Sequence, residues 1–497
     1  MKIPLLSFVI PIYKKHPETL ERCLKSLFDM SFKDFEVICV FDGADTELQK
    51  VAEKYKTQEV VIDHGGAPKA RNEGFKYSKG KYISFWDADC YAKPEMAKRW
   101  MEEFESDDSV DFVYTGYEFA NGQGAVEGQL FDPYLLTCGN YIATMFPMKR
   151  EIFPGFDESL QGAQDWDLWL SIVEKGHKGS YIEGYGFITE APTKDSISGV
   201  AWSDQNYRTT LRTVQDKHGI PVRDIMVGSA MHKIKGLHIA KLMNADFNQF
   251  FDFRHNDYKL AFNLGFGENI RFANAPSDCV KVQYWMPWDI EALEQIPGSR
   301  MVLCLEHCKK EVDIHFVNEI FSQKRLAKFF QFMGMPEPEI LALPSDVTDA
   351  ETKLPEKYRV LLDVDERWHP MVRSIKQDLP YIQIDDLDFR TNPFVKVEDY
   401  SMLVSFKDFA TIDEPIRRML INGRNVISNV QAPYCGYIDA NVNVKDFKQE
   451  LIHRIRDGRY LKFNQEGKDF YVAQVNPDVF VEKLKSLMKK PELEVVA

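Results

Sequence analysis

The sequence lacks any apolar run that approaches the roughly 20 residues of a membrane-spanning helix. It also lacks an excess of positive charge, since 62 lysines and arginines face 76 aspartates and glutamates and leave a net charge of −14. Because nucleic-acid phosphates bind best to a broad basic surface, this balance disfavours nucleic acid as a partner. We therefore expect a globular protein whose contact with a membrane, if it has one, is peripheral.

Cysteines are few, and their spacing matches no disulfide framework. The eight cysteines are scattered, and only the CLEHC stretch at 304–308 looks like a metal motif. That stretch lacks a second pair of ligands at zinc spacing, so we interpret it as a strand end with incidental cysteines. Reduced thiols are typical of the cytoplasm, and we expect that location, extended at most to the inner face of a membrane.

The N-terminal stretch MKIPLLSFVIPIYKK lacks the features of a secretory signal. Its apolar run is short, contains Pro4 and Pro11, and leads into lysines rather than a small-residue cleavage site. We expect a buried first strand there. The chain also lacks fixed-period repeats, and its 44% hydrophobic content is ample for two or three packed domains.

What the sequence does contain, over about its first 200 residues, is an alternation of apolar runs with amphipathic segments. The runs LLSFVIPI, FEVICVF and KYISFW have the composition of buried strands. The segment after the first run carries apolar residues at helical spacing, namely Leu20, Cys23, Leu24 and Leu27. This alternation predicts an α/β fold with a mainly parallel, Rossmann-like sheet, in which ligands bind beyond the carboxyl ends of the strands.

Three carboxylates follow strands of this predicted sheet. Asp42 comes directly after FEVICVF, and Asp87 and Asp89 follow KYISFW in the stretch SFWDADC. Because the carboxyl ends of parallel strands meet at one edge, we expect these side chains to lie close together, near Pro11 and Tyr13 at the end of the first strand. Carboxylate oxygens are hard ligands that suit Mn2+ or Mg2+. The sequence therefore predicts a divalent-cation site at this edge.

A second alternating series begins near residue 277. We accordingly divide the chain into a domain at 1–225, a helical connector at 226–276 and a C-terminal α/β domain at 277–497. Within the last domain, RMVLCLE at 300–306 is expected to be a strand and residues 312–333 a single long helix.

Four segments of the N-terminal part resemble, in order, the motifs of the family 2 glycosyltransferases of GT-A fold. They are SFVIPIYKKHPETLERCLKSL, EVICVFDGAD, GGAPKARNEGFKYSKGKYISFWDADC and FPGFDESLQGAQDWDLWLSIVEKG. The resemblance covers residues 5 to about 200 and identifies DAD as the family's Asp-x-Asp motif. It implies an inverting, metal-dependent transfer of a sugar from a nucleotide-sugar, with a UDP-sugar favoured, to an acceptor hydroxyl.

On the donor side, the resemblance assigns a role to each residue of the predicted edge. Asp89 would ligate the Mn2+ or Mg2+ ion, and Asp87 would contact the ribose or lie near this ion. Asp42 would accept a hydrogen bond from the uracil ring, while the backbone near Pro11 and Tyr13 would flank the base.

Further along the chain, Arg71 and Asp165 complete the implied site. Arg71 resembles the family's arginine that contacts the diphosphate or the base. Asp165 occupies the position of the catalytic aspartate, the general base that takes the proton of the acceptor hydroxyl. Gln164 stands where the family usually has a glutamate and would orient the acceptor, while Trp166 either lines the acceptor or packs.

The chain departs from the family in three respects. Phe41 precedes Asp42 where the family usually has a second acid. The late histidine that many GT-A enzymes supply to the metal is absent, so either Asp195 or water would complete the shell or the metal would be held weakly. The Gln-x-x-Arg-Trp signature of processive members is also absent, which implies the addition of single sugars.

The C-terminal half offers a weaker resemblance. Residues 400–429 are distantly similar to the nucleotide-binding half of GT-B glycosyltransferases, in which Glu414 would lie at the donor ribose. This segment has no glycine-rich loop, so an acceptor-binding or oligomerisation domain is favoured over a second catalytic centre.

Other interpretations stay open to different degrees. A sugar nucleotidyltransferase is disfavoured because PIYKKHPETL, after the first strand, contains no glycine. A catalytically weakened GT-A-fold protein that binds a glycan or scaffolds a partner stays open because of Gln164 and the missing histidine. The expected acceptor is a glycan or lipid-linked saccharide in polysaccharide biosynthesis, and a modified nucleic-acid base is the alternative.

Overall fold

In a computed structural model, the chain forms two compact units. The first is Met1–Val222 with Arg254–Asp257, and the second is Arg223–Phe253 with Tyr258–Ala497. The structure describes residues 3–122, 124–191, 206–229, 232–248, 256–265, 272, 274–344, 355, 357–365, 368–387, 399–406, 414–439, 444–457 and 462–488. Among these residues, no helix is both long and apolar enough to span a bilayer.

The first unit alternates strands and helices. Its strands are β1 Leu6–Ile12, β2 Phe35–Asp42, β3 Gln58–Ile62, β4 Tyr82–Phe85, β5 Cys90–Ala92, β6 Phe112–Phe119, β7 Ala125–Val126, β8 Met148–Lys149 and β9 Gly179–Thr189. Its helices are α1 Pro17–Asp29, α2 Thr46–Ala52, α3 Ala67–Tyr77, α4 Met96–Ser106, α5 Pro133–Cys138, α6 Gln164–Val173 and α7 Tyr207–Lys217. Two short 3₁₀ turns lie at Ala120–Gly122 and Arg150–Ile152.

The described strands of the first unit form one nine-stranded sheet in the order β3-β2-β1-β4-β8-β6-β9-β5, with β7 paired to β6. The strands β3, β2, β1 and β4 are mutually parallel, and β8 is antiparallel to both of its neighbours. The predicted α/β class with a mainly parallel, Rossmann-like sheet is thus confirmed. Because β1, β2 and β4 are adjacent and parallel, their carboxyl ends share one edge.

Side-chain size explains how the helices cover this sheet. The stripe Leu20, Cys23, Leu24 and Leu27 of α1 is buried, as its spacing predicts. In α3, a Cβ on Gly74 would lie 2.3 Å from Cγ1 of Val9 in β1. Only glycine therefore lets α3 approach the sheet this closely, and α3 is the helix that carries Arg71.

The second unit contains two sheets. One consists of β10 Ile225–Gly228, β11 Asp246–Phe247, β12 Leu260–Leu264, β13 Val280–Trp285, β14 Ile314–Val317 and β15 Glu339–Ile340. The other consists of β16 Arg359–Val364, β17 Gln383–Asp386, β18 Met402–Phe406, β19 Asn425–Ser428 and β20 Gly436–Tyr437. The helices are α8 Lys233–Met243, α9 Pro287–Gln295, α10 Gly298–Glu311, α11 Ile320–Met333, α12 His369–Asp378, α13 Glu414–Ile421, α14 Val444–Arg456, α15 Gln465–Gln474 and α16 Pro477–Leu487. Every strand pairing described in this unit is parallel.

Three predictions for this half need correction. The segment 226–276, expected to be a helical connector, contains the strands β10, β11 and β12 as well as α8. Residues 300–306 lie in α10 rather than in a strand, and 312–333 begins with the strand β14 before α11. The physical reason is that short runs buried on all sides have no periodicity that separates strand from helix.

Candidate active site

Two carboxylates lie beyond the carboxyl end of β4. Ligand atoms of Asp87, Asp89 and Cys90 lie within 4.8 Å of one another, and within the described part of the chain no other group of three such side chains does. Cys90 is fully buried, and burial raises the pKa of its thiol well above the usual value, so it stays neutral. The two aspartates are therefore the candidates for a hard cation.

Both aspartates already have a cationic neighbour. Oδ1 of Asp87 accepts a hydrogen bond of 2.8 Å from Nη2 of Arg71, and Oδ2 of Asp89 accepts one from Nζ of Lys15. Burial opposes the charge of Lys15, but the Asp89 carboxylate more than offsets this, so the pKa of Lys15 is raised. The second oxygen of each aspartate has no hydrogen bond among the described residues, and this donor set fits Mn2+ or Mg2+.

Arg71 connects the carboxylates at the end of β4 to the first turn of α6. It is 6% exposed; Nη2 binds Asp87, and Nη1 donates a hydrogen bond of 2.9 Å to Oε1 of Gln164. Its Nε is buried and has no hydrogen-bond partner in the described parts of the chain. Each terminal nitrogen thus has one protein partner, and the expected contact of this arginine with the diphosphate or the base stays a prediction.

Asp165 lies in the first turn of α6, after Ala163, whose φ of 53° is unusual for a residue with a side chain. Its Oδ2 accepts a hydrogen bond of 2.7 Å from Nδ2 of Asn140, and its Oδ1 accepts one of 2.9 Å from the backbone N–H of Trp166. Burial raises the pKa of Asp165 above its usual range. The sequence offered no signal for Asn140, because a single asparagine in a loop matches no motif.

The two residues expected on the acceptor side are buried. Gln164 is 8% exposed, and its amide also donates to the carbonyl of Leu160. Trp166 is 1% exposed, and its Nε1 donates a hydrogen bond of 2.7 Å to the carbonyl of Leu136. Both side chains are thus held by hydrogen bonds within the protein, and a contact of either one with the acceptor stays a prediction.

At the end of β2, Asp42 is only 2% exposed, and each of its carboxylate oxygens already accepts a hydrogen bond. Oδ1 accepts from the backbone N–H of Gly65, and Oδ2 accepts from that of Gly66 and contacts Nδ1 of His64 at 2.9 Å. The His64 ring stacks on the Tyr13 ring, with centroids 4.2 Å apart and planes at 10°. His64, which no sequence motif singles out, therefore lies between Asp42 and Tyr13.

Beside His64, a groove of about 480 Å³ opens, lined by Gly43, Ala44, Val61, Ile62, Asp63, His64, Lys69 and Glu73. Pro11 lies half-buried near the end of β1, and the exposed Tyr13 follows it. Of these two predicted flanks of the base, Tyr13 adjoins the groove through its stacked partner His64.

Two further polar residues, Asp45 and His177, have local structural partners. Asp45 caps α2 by accepting from the backbone N–H groups of Glu47 and Leu48. His177 pairs with Asp111. The Asp195 position and the side chain of Glu414 lie outside the described residues.

Ion pairs centred on the buried Asp167 connect α6 to the end of α7. Asp167 is 2% exposed and accepts from Nε2 of His218 at 2.9 Å and from Nζ of Lys217 at 2.7 Å. His218 also contacts Glu174 at 2.8 Å, and Lys217 contacts Asp157. The cluster fixes α7 to the helix that carries Asp165.

Comparison with known proteins agrees with this geometry. Residues 7–153 match the family model described as glycosyl transferase family 2. The chain is 29% identical over 228 residues to the uncharacterized glycosyltransferase EpsJ of Bacillus subtilis (39% of this chain, 66% of EpsJ). It is 26% identical over 188 residues to the chondroitin synthase of Pasteurella multocida (35% of this chain, 19% of the synthase). It thus spans less than two thirds of either relative.

Among solved structures, S. aureus TarS 1–349 in complex with UDP-GlcNAc has a TM-score of 0.37 at 18% identity, covering 49% of this chain and 68% of that one. A mannosyltransferase from Pyrobaculum calidifontis in complex with GDP-Man and Mn2+ has a TM-score of 0.33 at 15% identity, covering 44% of this chain and 64% of that one. Likenesses this low carry no argument about function. The match to the family model confirms, for residues 7–153, the resemblance found in the sequence.

Proposed function

We propose that the first unit moves a sugar from a nucleotide-sugar, a UDP-sugar first among the candidates, to an acceptor hydroxyl with inversion at the anomeric carbon. The family match of residues 7–153 supports the reaction class. The observation that carries the proposal is the pair of bonds from Arg71 to Asp87 and to Gln164. Because Gln164 directly precedes Asp165, this arginine joins the carboxylate pair at the end of β4 to the proposed base.

The residues at the sheet edge would bind the nucleotide-sugar donor. Asp87 and Asp89 would hold a divalent cation, Mn2+ or Mg2+, which when bound neutralises the charge of the departing diphosphate. Arg71 holds the Asp87 carboxylate in place. Tyr13 and His64 supply the aromatic surface for the base, and Asp42 orients His64.

At the acceptor end, Asp165 serves as the general base. The acceptor oxygen forms a bond to the anomeric carbon, the bond from that carbon to the diphosphate oxygen breaks, and Asp165 takes the hydroxyl proton. Burial raises the pKa of Asp165, which makes its carboxylate a better proton acceptor, and Asn140 orients it. A well-placed general base contributes about 10²–10⁴-fold to the rate.

The acceptor is proposed to be a glycan or lipid-linked saccharide, in polysaccharide biosynthesis. The names of two relatives, a chondroitin synthase and a hyaluronan synthase, support a saccharide acceptor. For the second unit we propose acceptor binding or oligomerisation, and the division at 1–225 and 277–497 remains a prediction about domains.

The alternative is a protein of this fold that binds a glycan or scaffolds a partner without transfer. A binding and hydrolysis screen of nucleotide-sugars, with Mn2+ and with chelator, separates the two. We expect one donor to bind only with Mn2+ and to be hydrolysed slowly, and Asp89→Ala to abolish both. The matched control is Asp107→Asn, an exposed aspartate in a turn after α4. If no nucleotide-sugar binds, or Asp89→Ala changes nothing, the transferase proposal fails.

A further inference from the structure

Lys15 lies in the short connection between β1 and α1, within reach of the carboxylate pair. Its Nζ donates to Oδ2 of Asp89, and the two side chains are 35% and 28% exposed. The residue before it, Lys14, has a φ of 45°, in the left-handed region that non-glycine residues seldom adopt. The backbone therefore turns in an unfavourable conformation at the point that directs Lys15 toward Asp89.

Charge balance explains what this contact does. Two carboxylates whose oxygens lie within 4.8 Å repel each other, and Arg71 compensates only the charge of Asp87. Lys15 compensates that of Asp89. A divalent cation that binds Asp89 therefore competes with the ammonium group for the same carboxylate.

We propose that Lys15 is an exchangeable counter-ion of the donor site: it pairs with Asp89 in the free enzyme and moves to a diphosphate oxygen when the donor binds. The proposal rests on the proposed function, because it needs a diphosphate in the site. The ammonium suits both partners, since it is a compact charge on a flexible stem with three donors. Lys15 thereby weakens metal binding in the absence of donor and strengthens donor binding in its presence.

The first test measures binding of Mn2+ alone to the full chain, from the electron paramagnetic resonance of free Mn2+. Lys15→Met should bind Mn2+ roughly fivefold more tightly than the unmodified protein, because loss of a partly exposed ion pair is worth up to about 1 kcal/mol. Lys15→Arg should retain the competition. The matched control, Lys25→Met, removes a lysine that pairs with Asp29 on the exposed side of α1 and should leave Mn2+ affinity unchanged.

The second test measures UDP binding by calorimetry at saturating Mn2+. Lys15→Met should bind UDP roughly fivefold more weakly, because one phosphate contact of an exposed ammonium is lost. Lys15→Gln serves as a second neutral variant, and near-ultraviolet circular dichroism checks that each variant folds.

Unchanged Mn2+ affinity in both neutral variants would overturn the counter-ion role. Tighter Mn2+ binding with unchanged UDP affinity would overturn the transfer of Lys15 to the diphosphate. Failure of the proposed function is a separate result, because the unmodified protein would then bind no nucleotide while the effect of Lys15 on Mn2+ binding persisted.

Discussion

The guanidinium of Arg71 donates a hydrogen bond of 2.9 Å to the amide oxygen of Gln164, and both side chains are buried. At this position the family usually has a glutamate, so the glutamine looks like the loss of an acid when only the sequence is considered. The structure gives it a function that an amide can perform, since a carbonyl oxygen accepts from a guanidinium as a carboxylate does. This hydrogen bond holds α6, the helix that carries the proposed general base Asp165, close to the end of β4.

Replacing Gln164 tests this link. Gln164→Leu should lower the free energy of unfolding by about 2 kcal/mol, because it leaves a buried charged donor without its partner. Gln164→Glu keeps an acceptor for Arg71, so its free energy of unfolding should fall much less. Denaturant unfolding of both variants measures the difference, and equal losses would show that Arg71 does not depend on the acceptor at this position.

The protonation of Asp165 should determine the acidic limb of the pH–rate profile. Burial raises the pKa of Asp165, so the limb should lie above the usual aspartate value of about 4. Asn140 donates to the charged carboxylate, so Asn140→Ala should raise this pKa further and reduce the rate about tenfold at low pH. A limb that moved to lower pH in this variant would contradict the contact.

His218 should make stability depend on pH. Burial opposes its charge, but the hydrogen bonds to Asp167 and Glu174 more than offset this and raise the pKa of His218. A raised pKa in the folded state means that the stabilisation is fully present below the unfolded value of about 6.5 and is lost as pH rises through the folded value. His218→Gln should therefore cost about 1–2 kcal/mol at about pH 5.5 and clearly less at about pH 8.5.

Chemical unfolding of His218→Gln and the unmodified protein at both pH values provides the comparison. A loss that is equal at the two pH values, or larger at the higher one, would show that packing rather than charge accounts for the contribution of His218.

The stacked pair Tyr13 and His64 should determine affinity for the nucleotide base. Alanine at either position should weaken UDP binding about three- to tenfold, because an aromatic contact is worth about 0.5–1.5 kcal/mol. Tyr77→Ala, at an exposed tyrosine that ends α3, is the control and should leave the affinity unchanged. Calorimetry measures the UDP affinity of all three variants. An unchanged affinity in His64→Ala would show that His64 does not contact the donor.

Much of the first unit could be predicted because its strands and helices carry strong periodic patterns. The run at β1 and the stripe of α1 each have a local physical cause that the sequence displays. Asn140 and His64 escaped prediction because each is a single polar residue in a loop, and only the fold brings it to Asp165 or to Asp42. In the second unit, strands as short as Asp246–Phe247 are too brief for any pattern, so its two sheets could not be separated in advance.

The most direct test of the account is the separation of donor binding from transfer in Asp165→Asn. The asparagine keeps the shape of the side chain but cannot take a proton, so the variant should bind the donor with nearly unchanged affinity while transfer falls by about 10²-fold or more. Donor affinity from calorimetry and product formation from the same preparation give the comparison. Equal loss of binding and transfer, or transfer at the rate of the unmodified protein, would contradict the role of Asp165 as the base.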